Sequence, residues 1–389
     1  MTQYLAQRVR GFGTTIFQEM TELANTHNAV NLGQGFPDFA APDFVKAAAQ
    51  AAIAADVNQY APGNGRLRLR EAIASQMQRR AGIPANPETD VVVTVGATEA
   101  IFAAVLGIVN PGDEVILIEP TYDSYVPAVT IAGGIPRFLT LHPPRWTLDI
   151  DALAALFTPQ TRAIILNTPH NPIGKVYNRN ELQMIAELCH RHDVVAIVDE
   201  VYEHLVYDDN EHISLAGLPG MRPRTITISS LGKTFSVTGW KVGWAVGPQE
   251  LVTAVFRTHQ FITYSGAAPL QEAAAVALET AVANTYYADL RNMYQAKRDF
   301  LVESLQAAGL RPFVPQGAYF VMADISHLGF ADDRAFCRYL TTEIGVAAIP
   351  PSAFYHRPAD GATLARFAFC KSDAVLAEAA SRLRRLTTL

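Results

Sequence analysis

The stretch from Ser229 to Trp244 reads Ser-Ser-Leu-Gly-Lys-Thr-Phe-Ser-Val-Thr-Gly-Trp-Lys-Val-Gly-Trp, and it decides our interpretation of the fold. Residues 225–230 alternate apolar and hydroxyl side chains, which predicts a β-strand. Lys233 therefore lies just past a strand end, beside small residues that let a ligand approach closely. A lysine near a second cation, here Lys241, or in a dry pocket loses its proton more easily and can form an imine with a carbonyl.

Lys233 could also be a surface residue or part of a nucleotide-binding loop. Most lysines are solvated surface groups. Gly232-Lys233-Thr234 matches the end of the phosphate loop of nucleotide hydrolases. That loop needs a glycine where this chain has Thr227, and a helix directly after the lysine, where residues 237–240 are a poor helix sequence. The segment is thus a weak match to the nucleotide-binding pattern.

The composition indicates a globular protein with a sizeable core. The chain has 389 residues, of which 49% are apolar, enough for two or three domains. A net charge of −6 and a pI near 5.9 do not favour nucleic-acid binding. Residues 1–10 lack the apolar core of a signal peptide, and no apolar run approaches the length that spans a bilayer. We therefore expect a cytoplasmic protein without membrane contact.

The cysteines give no sign of a disulfide framework or a metal site. Cys189, Cys337 and Cys370 are widely separated, as expected for reduced, buried thiols. Cys189 lies close to His190 and His192, but this spacing matches no common zinc pattern and fits a helix terminus better. We expect no bound metal.

The middle of the chain alternates strand-like and helix-like patterns. The predicted strands are Val91–Val95, Glu114–Ile118, Arg162–Leu166, Val194–Val198 and Thr225–Ile228. Predicted helices include Thr98–Val109 and Asn180–His192. Because the strands are apolar on both faces, they indicate an α/β fold with a mostly parallel central sheet and helices on both faces. After a long predicted helix over Asn284–Ala308, strands at Tyr319–Asp324 and Leu364–Phe369 indicate a smaller α/β unit.

Ligands of such sheets bind beyond the carboxyl ends of the strands. The first candidate there is Gly96-Ala97-Thr98, a turn that opens a helix, because its free N–H groups and the helix dipole suit a phosphate. The remaining candidates follow the later strands and are Tyr122, Asn171, Asp199, Tyr202, Ser230 and Lys233. Each residue could have an ordinary structural role in a turn, a cap or a helix start. Their convergence at five strand ends nevertheless indicates one ligand site.

A phosphate cradle, a stacking aromatic ring, a carboxylate and an imine-forming lysine together describe a site for pyridoxal 5′-phosphate. Lys233 would condense with the cofactor aldehyde, and Asp199 would keep the ring nitrogen protonated so that the ring accepts electrons. Tyr122 would stack on the ring face. The remaining predicted contacts are hydrogen bonds, from Asn171 and Tyr202 to the phenolic oxygen and from Ser230 and Lys241 to the phosphate.

At this level the chain resembles a fold-type I, class I/II pyridoxal-phosphate aminotransferase over nearly its whole length. It is most similar to the methionine, glutamine-K and kynurenine aminotransferase branch. The motifs that carry the resemblance are Asn31-Leu32-Gly33-Gln34-Gly35-Phe36-Pro37-Asp38-Phe39, Asn58-Gln59-Tyr60, Asn171-Pro172-Ile173-Gly174, Asp199-Glu200-Val201-Tyr202 and the Lys233 segment. One departure is Lys241, where aspartate-type relatives usually have arginine, so the phosphate would meet a point charge in place of a bidentate fork.

The resemblance implies three roles that the patterns alone do not give. Arg366 matches the arginine that binds the substrate α-carboxylate through two parallel hydrogen bonds, and Gly35 matches a backbone contact to the same group. Tyr60 matches a tyrosine that reaches the phosphate of the neighbouring subunit, which implies a homodimer with shared active sites. We expect a large domain over residues 46–284 and a small domain formed by residues 285–389 together with the N-terminal segment 1–45.

The implied reaction is transamination, in which Lys233 forms a Schiff base with the cofactor and then moves the substrate Cα proton. The amino group of an L-amino acid would pass to a 2-oxo acid. We expect a neutral donor with a bulky, sulfur-containing or aromatic side chain, such as methionine, glutamine, phenylalanine, leucine or kynurenine. The segment Gln260–Gly266 contains no arginine, where a dicarboxylate-specific enzyme would place a second one. The candidate walls of the substrate pocket are Phe17, Tyr60, Tyr122, Tyr125 and Tyr264, each of which could equally be a packing residue.

Two alternatives to this function differ in kind. A pyridoxal-phosphate-dependent carbon–sulfur β-lyase on the same fold would use the same lysine, aspartate and arginine. A cofactor-binding transcription regulator would carry an added DNA-binding domain, which neither the residues before Gly33 nor the acidic charge supports.

Overall fold

The computed structural model describes residues 4–388. The α-helices in this range are α1 (Ile16–Thr26), α2 (Asp43–Ala54), α3 (Leu67–Ala81), α4 (Gly96–Ile108), α5 (Tyr125–Ile131), α6 (Ile150–Ala154), α7 (Arg179–His192), α8 (Leu231–Thr234), α9 (Gln249–Ile262), α10 (Ala268–Ala283), α11 (Tyr286–Ala307), α12 (Asp333–Tyr339) and α13 (Asp373–Leu383). The strands are β1 (Val30–Asn31), β2 (Val91–Thr94), β3 (Glu114–Glu119), β4 (Ile135–Thr140), β5 (Thr161–Asn167), β6 (Val195–Asp199), β7 (Thr225–Ser230), β8 (Gly243–Val246), β9 (Arg311–Phe313), β10 (Phe320–Asp324), β11 (Val346–Ala347) and β12 (Leu364–Ala368).

The large sheet has the strand order β2-β8-β7-β6-β5-β3-β4. Strands β7, β6, β5, β3 and β4 are parallel to one another, whereas β8 runs antiparallel to both β2 and β7. The residues of β6 and β7 are all buried. A hydrophobic cluster with α4 includes residues of both strands, and a second cluster with α7 covers the other face of β6. The predicted α/β fold with a mostly parallel sheet is confirmed.

Two strands of the large sheet were not predicted, for different physical reasons. Strand β4 lies at the sheet edge and is largely half-exposed, so it lacks the continuous apolar run that marks a buried strand. Strand β8 begins inside the Lys233 segment, where glycines and tryptophans interrupt the apolar run that would predict a strand. Its first residue must be small, because a β-carbon on Gly243 would collide with the backbone of Gly96 at the start of α4.

The two ends of the chain meet beside the large sheet. Strand β1 pairs in parallel with β11, and β9, β10 and β12 form an antiparallel sheet. One hydrophobic cluster joins Ile16, Met20 and Leu32 to residues of α11, β10, β12 and α13. This agrees with a smaller α/β unit built from both chain ends, while the boundaries after residues 45 and 284 stay predictions. Over residues 4–388, no helix is both long and apolar enough to cross a membrane.

Candidate active site

A cavity at the carboxyl ends of β5, β6 and β7 brings together most of the predicted site residues. Those that line it are Phe17, Gly35, Gly96, Ala97, Thr98, Tyr122, Asn171, Asp199, Tyr202, Ser230, Lys233, Lys241 and Arg366. We call the part formed by Gly96, Asp199, Lys233 and Lys241 the sheet side. The opposite part, formed by both chain ends, is the arginine side, which is lined by Phe17, residues 34–36, Phe320 and Arg366. Gly33 and Phe354 belong to it as contacts of Arg366.

Lys233 lies in the short helix α8 that directly follows β7. Its Nζ donates a hydrogen bond to the carbonyl oxygen of Gly35 at 3.1 Å. Burial lowers the pKa of Lys233 to about 8, and the charges of Lys241 and Arg366 act in the same direction, whereas Asp199 opposes them. A larger fraction of this amine is therefore neutral near pH 7 than in an ordinary lysine, which suits a nucleophile and a base.

Asp199 is the last residue of β6, and its side chain is held from two directions. The Tyr125 hydroxyl donates to Oδ2 at 2.7 Å, and the Val201 N–H donates to Oδ1 at 3.2 Å. Burial raises the pKa of Asp199 to about 6, against the opposing effects of these hydrogen bonds and of Lys233. The carboxyl group is thus fixed in direction and suited to share a proton with a ring nitrogen.

The N-terminus of α4 forms a place for an anion. Gly96 has a φ of +79°, and a β-carbon there would lie 3.0 Å from the Nζ of Lys241, so the backbone and the lysine charge are close neighbours. The first N–H groups of a helix have no partner within the helix, and the helix dipole is positive at this end. Together these features fit the phosphate that the sequence predicts here.

Tyr122 and Asn171 border the space between the two sides. Burial raises the pKa of Tyr122 to about 12, so the phenol is neutral and its ring is available for stacking. Asn171 accepts a hydrogen bond from Arg366 Nη1 at 3.2 Å on its Oδ1, which leaves its amide Nδ2 as the donor for a ligand. The Asn171 backbone N–H in turn donates to Oδ1 of Asn167 at 2.6 Å.

Arg366 lies on β12 and is the largest side chain that the fold buries almost completely. Its Nη2 donates to the Gly33 carbonyl at 2.6 Å, but its Nε has no hydrogen-bond partner within residues 4–388. Three rings surround the guanidinium, with centroids at 4.3 Å for Phe320, 5.1 Å for Phe17 and 5.2 Å for Phe354. Burial lowers the pKa of Arg366 to about 10. A dehydrated guanidinium with an unsatisfied donor fits a carboxylate ligand.

Three predicted pocket residues do not line the cavity. Tyr60 and Tyr264 lie on the surface, where they are 86% and 51% exposed and meet edge to face at 5.5 Å. Tyr125 is buried behind Asp199, because it begins α5 and its hydroxyl is directed to the carboxylate. Tyr125 therefore contacts a predicted cofactor residue, where the sequence had suggested a wall of the substrate pocket.

Some residues of the site were not identified from the sequence. Asn167 lines the cavity, and its Nδ2 donates to the Asp199 carbonyl at 2.9 Å. Its position as the last residue of β5 was the signal that could have identified it. Phe320 and Phe354 are far along the chain from the rest of the site, and their pattern is that of ordinary core aromatics. A β-carbon on Gly35 would lie 2.7 Å from the Phe320 ring, so position 35 has room only for glycine.

Residues 27–383 match the family model described as aminotransferase class I and II. A probable N-succinyldiaminopimelate aminotransferase, DapC, of Mycobacterium tuberculosis is 50% identical over 392 residues, which cover 98% of each chain. A kynurenine–oxoglutarate transaminase of Dictyostelium discoideum is 44% identical over 418 residues, covering 98% of this chain and 96% of that protein. A solved Escherichia coli structure described with a methionine aminotransferase function has a TM-score of 0.94 and 40% identity, covering 98% of this chain and 99% of that chain.

Proposed function

Because the chain belongs to the class I and II aminotransferases, whose cofactor is pyridoxal 5′-phosphate, we propose that Lys233 is the lysine that bonds this cofactor. As a member of this family, the protein is a transaminase that acts on amino and oxo acids. The observation that supports Lys233 is its placement: its amine, the buried Asp199 carboxyl group and the N-terminus of α4 line one cavity.

The sheet side fits the cofactor residue by residue. When bound, pyridoxal 5′-phosphate supplies an aldehyde for the covalent bond to a lysine and a ring that withdraws electrons from the substrate Cα. The N-terminal turn of α4, with Ser230 and Lys241, would hold the phosphate. Asp199 would hold the ring nitrogen. The side chains left for the phenolic oxygen and the ring face are Asn171, Tyr202 and Tyr122.

Lys233 would also move the proton of the reaction. When its amine is free, the pKa of about 8 would make Lys233 a base near neutral pH and an acid after it has gained a proton. The Gly35 carbonyl is an acceptor for both forms of the amine. A positioned base of this kind typically contributes about 10²–10⁴-fold to the rate.

Arg366 would bind the α-carboxylate of the substrate. The unpartnered Nε and the adjacent Nη groups form a fork of N–H donors, and the three surrounding rings exclude water, which strengthens the pairing. The family contact to the Gly35 backbone lies on the same side of the cavity. The carboxylate would thereby fix the substrate Cα between Arg366 and Lys233.

We infer that the preferred amino donor has a bulky side chain without charge. Arg366 is the only arginine among the described residues that line the cavity, so a second carboxylate would lack a guanidinium partner. Phe17, Phe320 and Tyr122 instead present aromatic surface. Two of the relatives named above are described as acting on kynurenine or methionine, whose side chains are bulky and uncharged, and the third as acting on N-succinyldiaminopimelate, whose side chain carries carboxylates. All of them are described as aminotransferases, and nothing in the site favours a carbon–sulfur lyase.

A competition among amino donors tests this substrate class. The purified holoenzyme would be given methionine, phenylalanine, kynurenine, glutamine, leucine, N-succinyldiaminopimelate and aspartate at equal concentrations, and kcat/KM would be measured for each. We expect a bulky donor with an uncharged side chain to rank first. A first rank for aspartate or for N-succinyldiaminopimelate, whose side chains carry carboxylates, would contradict the inference.

We also propose that the enzyme is a homodimer whose second copy covers the surface around Tyr60. Tyr60 does not line the cavity of its own chain, and it contacts Tyr264, which closely follows the exposed apolar residues Phe261 and Ile262 in the chain. Phe261 is 87% exposed, which is unusual for so large an apolar ring. Analytical ultracentrifugation at micromolar concentration should give twice the chain mass, and Tyr60→Phe should weaken cofactor binding. A monomer with full activity would contradict the proposal.

A further inference from the structure

The Gly35 carbonyl oxygen accepts two hydrogen bonds from opposite parts of the structure. One donor is the Nζ of Lys233 at 3.1 Å, and the other is the hydroxyl of Tyr319 at 2.6 Å. Tyr319 directly precedes β10 and is completely buried. A carbonyl oxygen has two lone pairs, so both donors can be bound at once, and the position of one constrains the direction available to the other.

The segment around Gly35 has no helix or strand to fix it, and separate side chains hold each of its residues. Arg366 donates to the Gly33 carbonyl, the Gln34 side chain donates to the Phe17 carbonyl, and Lys371 donates to the Phe36 carbonyl at 2.9 Å. Tyr319 holds Gly35 in the same way, by donating a hydrogen bond to its carbonyl. Of these hydrogen bonds, only that of Tyr319 is made to a carbonyl that also binds Lys233. Its loss would therefore change the hydrogen bond of the Lys233 amine.

We propose that Tyr319 is a positioning residue for the reaction, because its hydroxyl fixes the Gly35 carbonyl at the point where that carbonyl holds the Lys233 amine. The inference rests on the proposed role of Lys233 and extends it. When the amine takes a proton, its hydrogen bond to the carbonyl becomes charge-assisted and stronger. A carbonyl held in place can provide this stabilisation without first reorganising.

Two further observations support this role. Burial raises the pKa of Tyr319 well above its ordinary value, so its hydroxyl remains a donor over the working range of pH. The Tyr319 ring also meets the ring of Tyr202 edge to face at 5.1 Å, so Tyr319 packs directly against a residue proposed for the cofactor. The same residue therefore binds the acceptor of Lys233 through its hydroxyl and packs against Tyr202 through its ring.

A pair of hydroxyl deletions separates positioning from packing. Tyr319→Phe removes the donor and keeps the ring. Tyr294→Phe is the matched control, because Tyr294 is also buried, lies 5.8 Å from the Tyr319 ring, and has a hydroxyl with no hydrogen-bond partner among residues 4–388. Thermal unfolding of both variants would show whether they remain folded.

The first measurement uses the apo-protein. Acetic anhydride labels only neutral amines, so the extent of Lys233 acetylation against pH, followed by peptide mass spectrometry, reports the proton affinity of this amine. Tyr319→Phe should shift the labelling curve to lower pH, because the charged amine loses its fixed acceptor, while Tyr294→Phe should match the wild type. The other groups that face Lys233 are unchanged in both variants, and they are Asp199, Lys241, Arg366, Cys370 and Tyr202.

The second measurement uses the holoenzyme in a single turnover with α-deuterated and ordinary methionine. Tyr319→Phe should slow Cα proton removal by about tenfold, roughly the effect of one buried hydrogen bond to a charged group, with a smaller change in the binding of methionine. Equal behaviour of Tyr319→Phe and Tyr294→Phe in both measurements would overturn the proposal. If Lys233 did not bond the cofactor, its proposed role would be wrong. The labelling experiment on the apo-protein would still test whether Tyr319 affects the proton affinity of the Lys233 amine.

If Tyr319→Phe does not fold, 3-fluorotyrosine at position 319 provides the test. Fluorine makes the hydroxyl a stronger donor and leaves the ring nearly the same size. The Lys233 labelling curve of the apo-protein should then move from that of the wild type. An unmoved curve would overturn the proposal.

Discussion

The two sides of the cavity are built in different ways. The sheet side takes its residues from neighbouring strand ends of one sheet, between Gly96 and Lys241. The arginine side joins residues from both ends of the chain, and its central hydrogen bond links Arg366 to Gly33, which are 333 positions apart. The first therefore depends on the local order of strands and helices, and the second on the long-range pairing of β1 with β11 and of β10 with β12.

The two sides also differ in their electrostatics. On the sheet side, burial moves the pKa of Asp199 up to about 6 and that of Lys233 down to about 8, so both groups can exchange protons near neutral pH. On the arginine side, a single guanidinium lies among aromatic rings with one donor unsatisfied among the described residues. The difference suggests that the sheet side serves the chemistry and the arginine side serves the binding of a carboxylate.

The largest effect is expected from Lys233→Ala on the sheet side. Without the amine, kcat should fall by at least about 10³-fold, because both the covalent attachment and the proton transfer are lost. Steady-state assays with methionine would measure it. Lys233→Arg is the control for charge, and it should be equally inactive since arginine stays protonated. Activity within tenfold of the wild type in either variant would remove Lys233 from the mechanism.

A smaller loss is expected from Arg366→Lys on the arginine side. The lysine keeps the charge but loses the fork of donors, so kcat/KM for amino acids should fall by about 10²-fold. The dissociation constant of the cofactor should change by less than about threefold, a limit typical of a mutation that removes no contact to it. Fluorescence titration and steady-state kinetics would provide the two numbers. A cofactor affinity that falls as much as kcat/KM would erase the distinction between the two sides.

The rate at which the apo-protein binds the cofactor should depend on pH in a way that reports Lys233. The neutral amine is the reactive form, so a pKa of about 8 predicts a rate that rises about tenfold from pH 7 to pH 9 and then levels off. An ordinary lysine would keep rising through this range, and Nα-acetyl-lysine with the same cofactor is the reference. Stopped-flow absorbance would measure both. A rate that continues to climb above pH 9 would contradict the lowered pKa.

The smallest effect is expected from Tyr125→Phe, behind the sheet side. Its hydrogen bond lowers the pKa of Asp199, so its removal should raise that pKa further and weaken cofactor binding by about fivefold. Tyr355→Phe is a matched control, because the buried Tyr355 hydroxyl has no partner among residues 4–388. Fluorescence titration of the apo-proteins would compare them. Equal cofactor affinity in the two variants would show that Tyr125 does not support Asp199.

The same contrast between the two sides accounts for what could be predicted from the sequence. Buried parallel strands have long apolar runs, so their ends could be located, and Asp199 and Lys233 with them. Gly35 and Arg366 were identified only through the family resemblance. No local sequence pattern predicts a contact such as that between Gly33 and Arg366, which are 333 positions apart. Tyr125 was predicted to line the substrate pocket but lies behind Asp199. The sequence does not determine which way a ring in the first turn of a helix is directed.

The aromatic residues of the arginine side show most clearly what could not be predicted from the sequence. Phe320 and Phe354 lie in segments whose apolar patterns are those of a core, and Tyr319 differs from the adjacent Phe320 only by a hydroxyl. Their place beside the arginine depends on the register of β10 against β12 and on the loop after β11, which no single-sequence pattern determines.

The most direct test of the account is to find which residue bonds the cofactor. The apo-protein would be incubated with pyridoxal 5′-phosphate, reduced with borohydride to fix any imine, digested, and analysed by mass spectrometry. We predict that the added mass lies on Lys233, and that it disappears when Lys233 is replaced by alanine. A modification on Lys241 or another lysine, or a protein that stays unmodified after incubation with excess cofactor, would contradict the account.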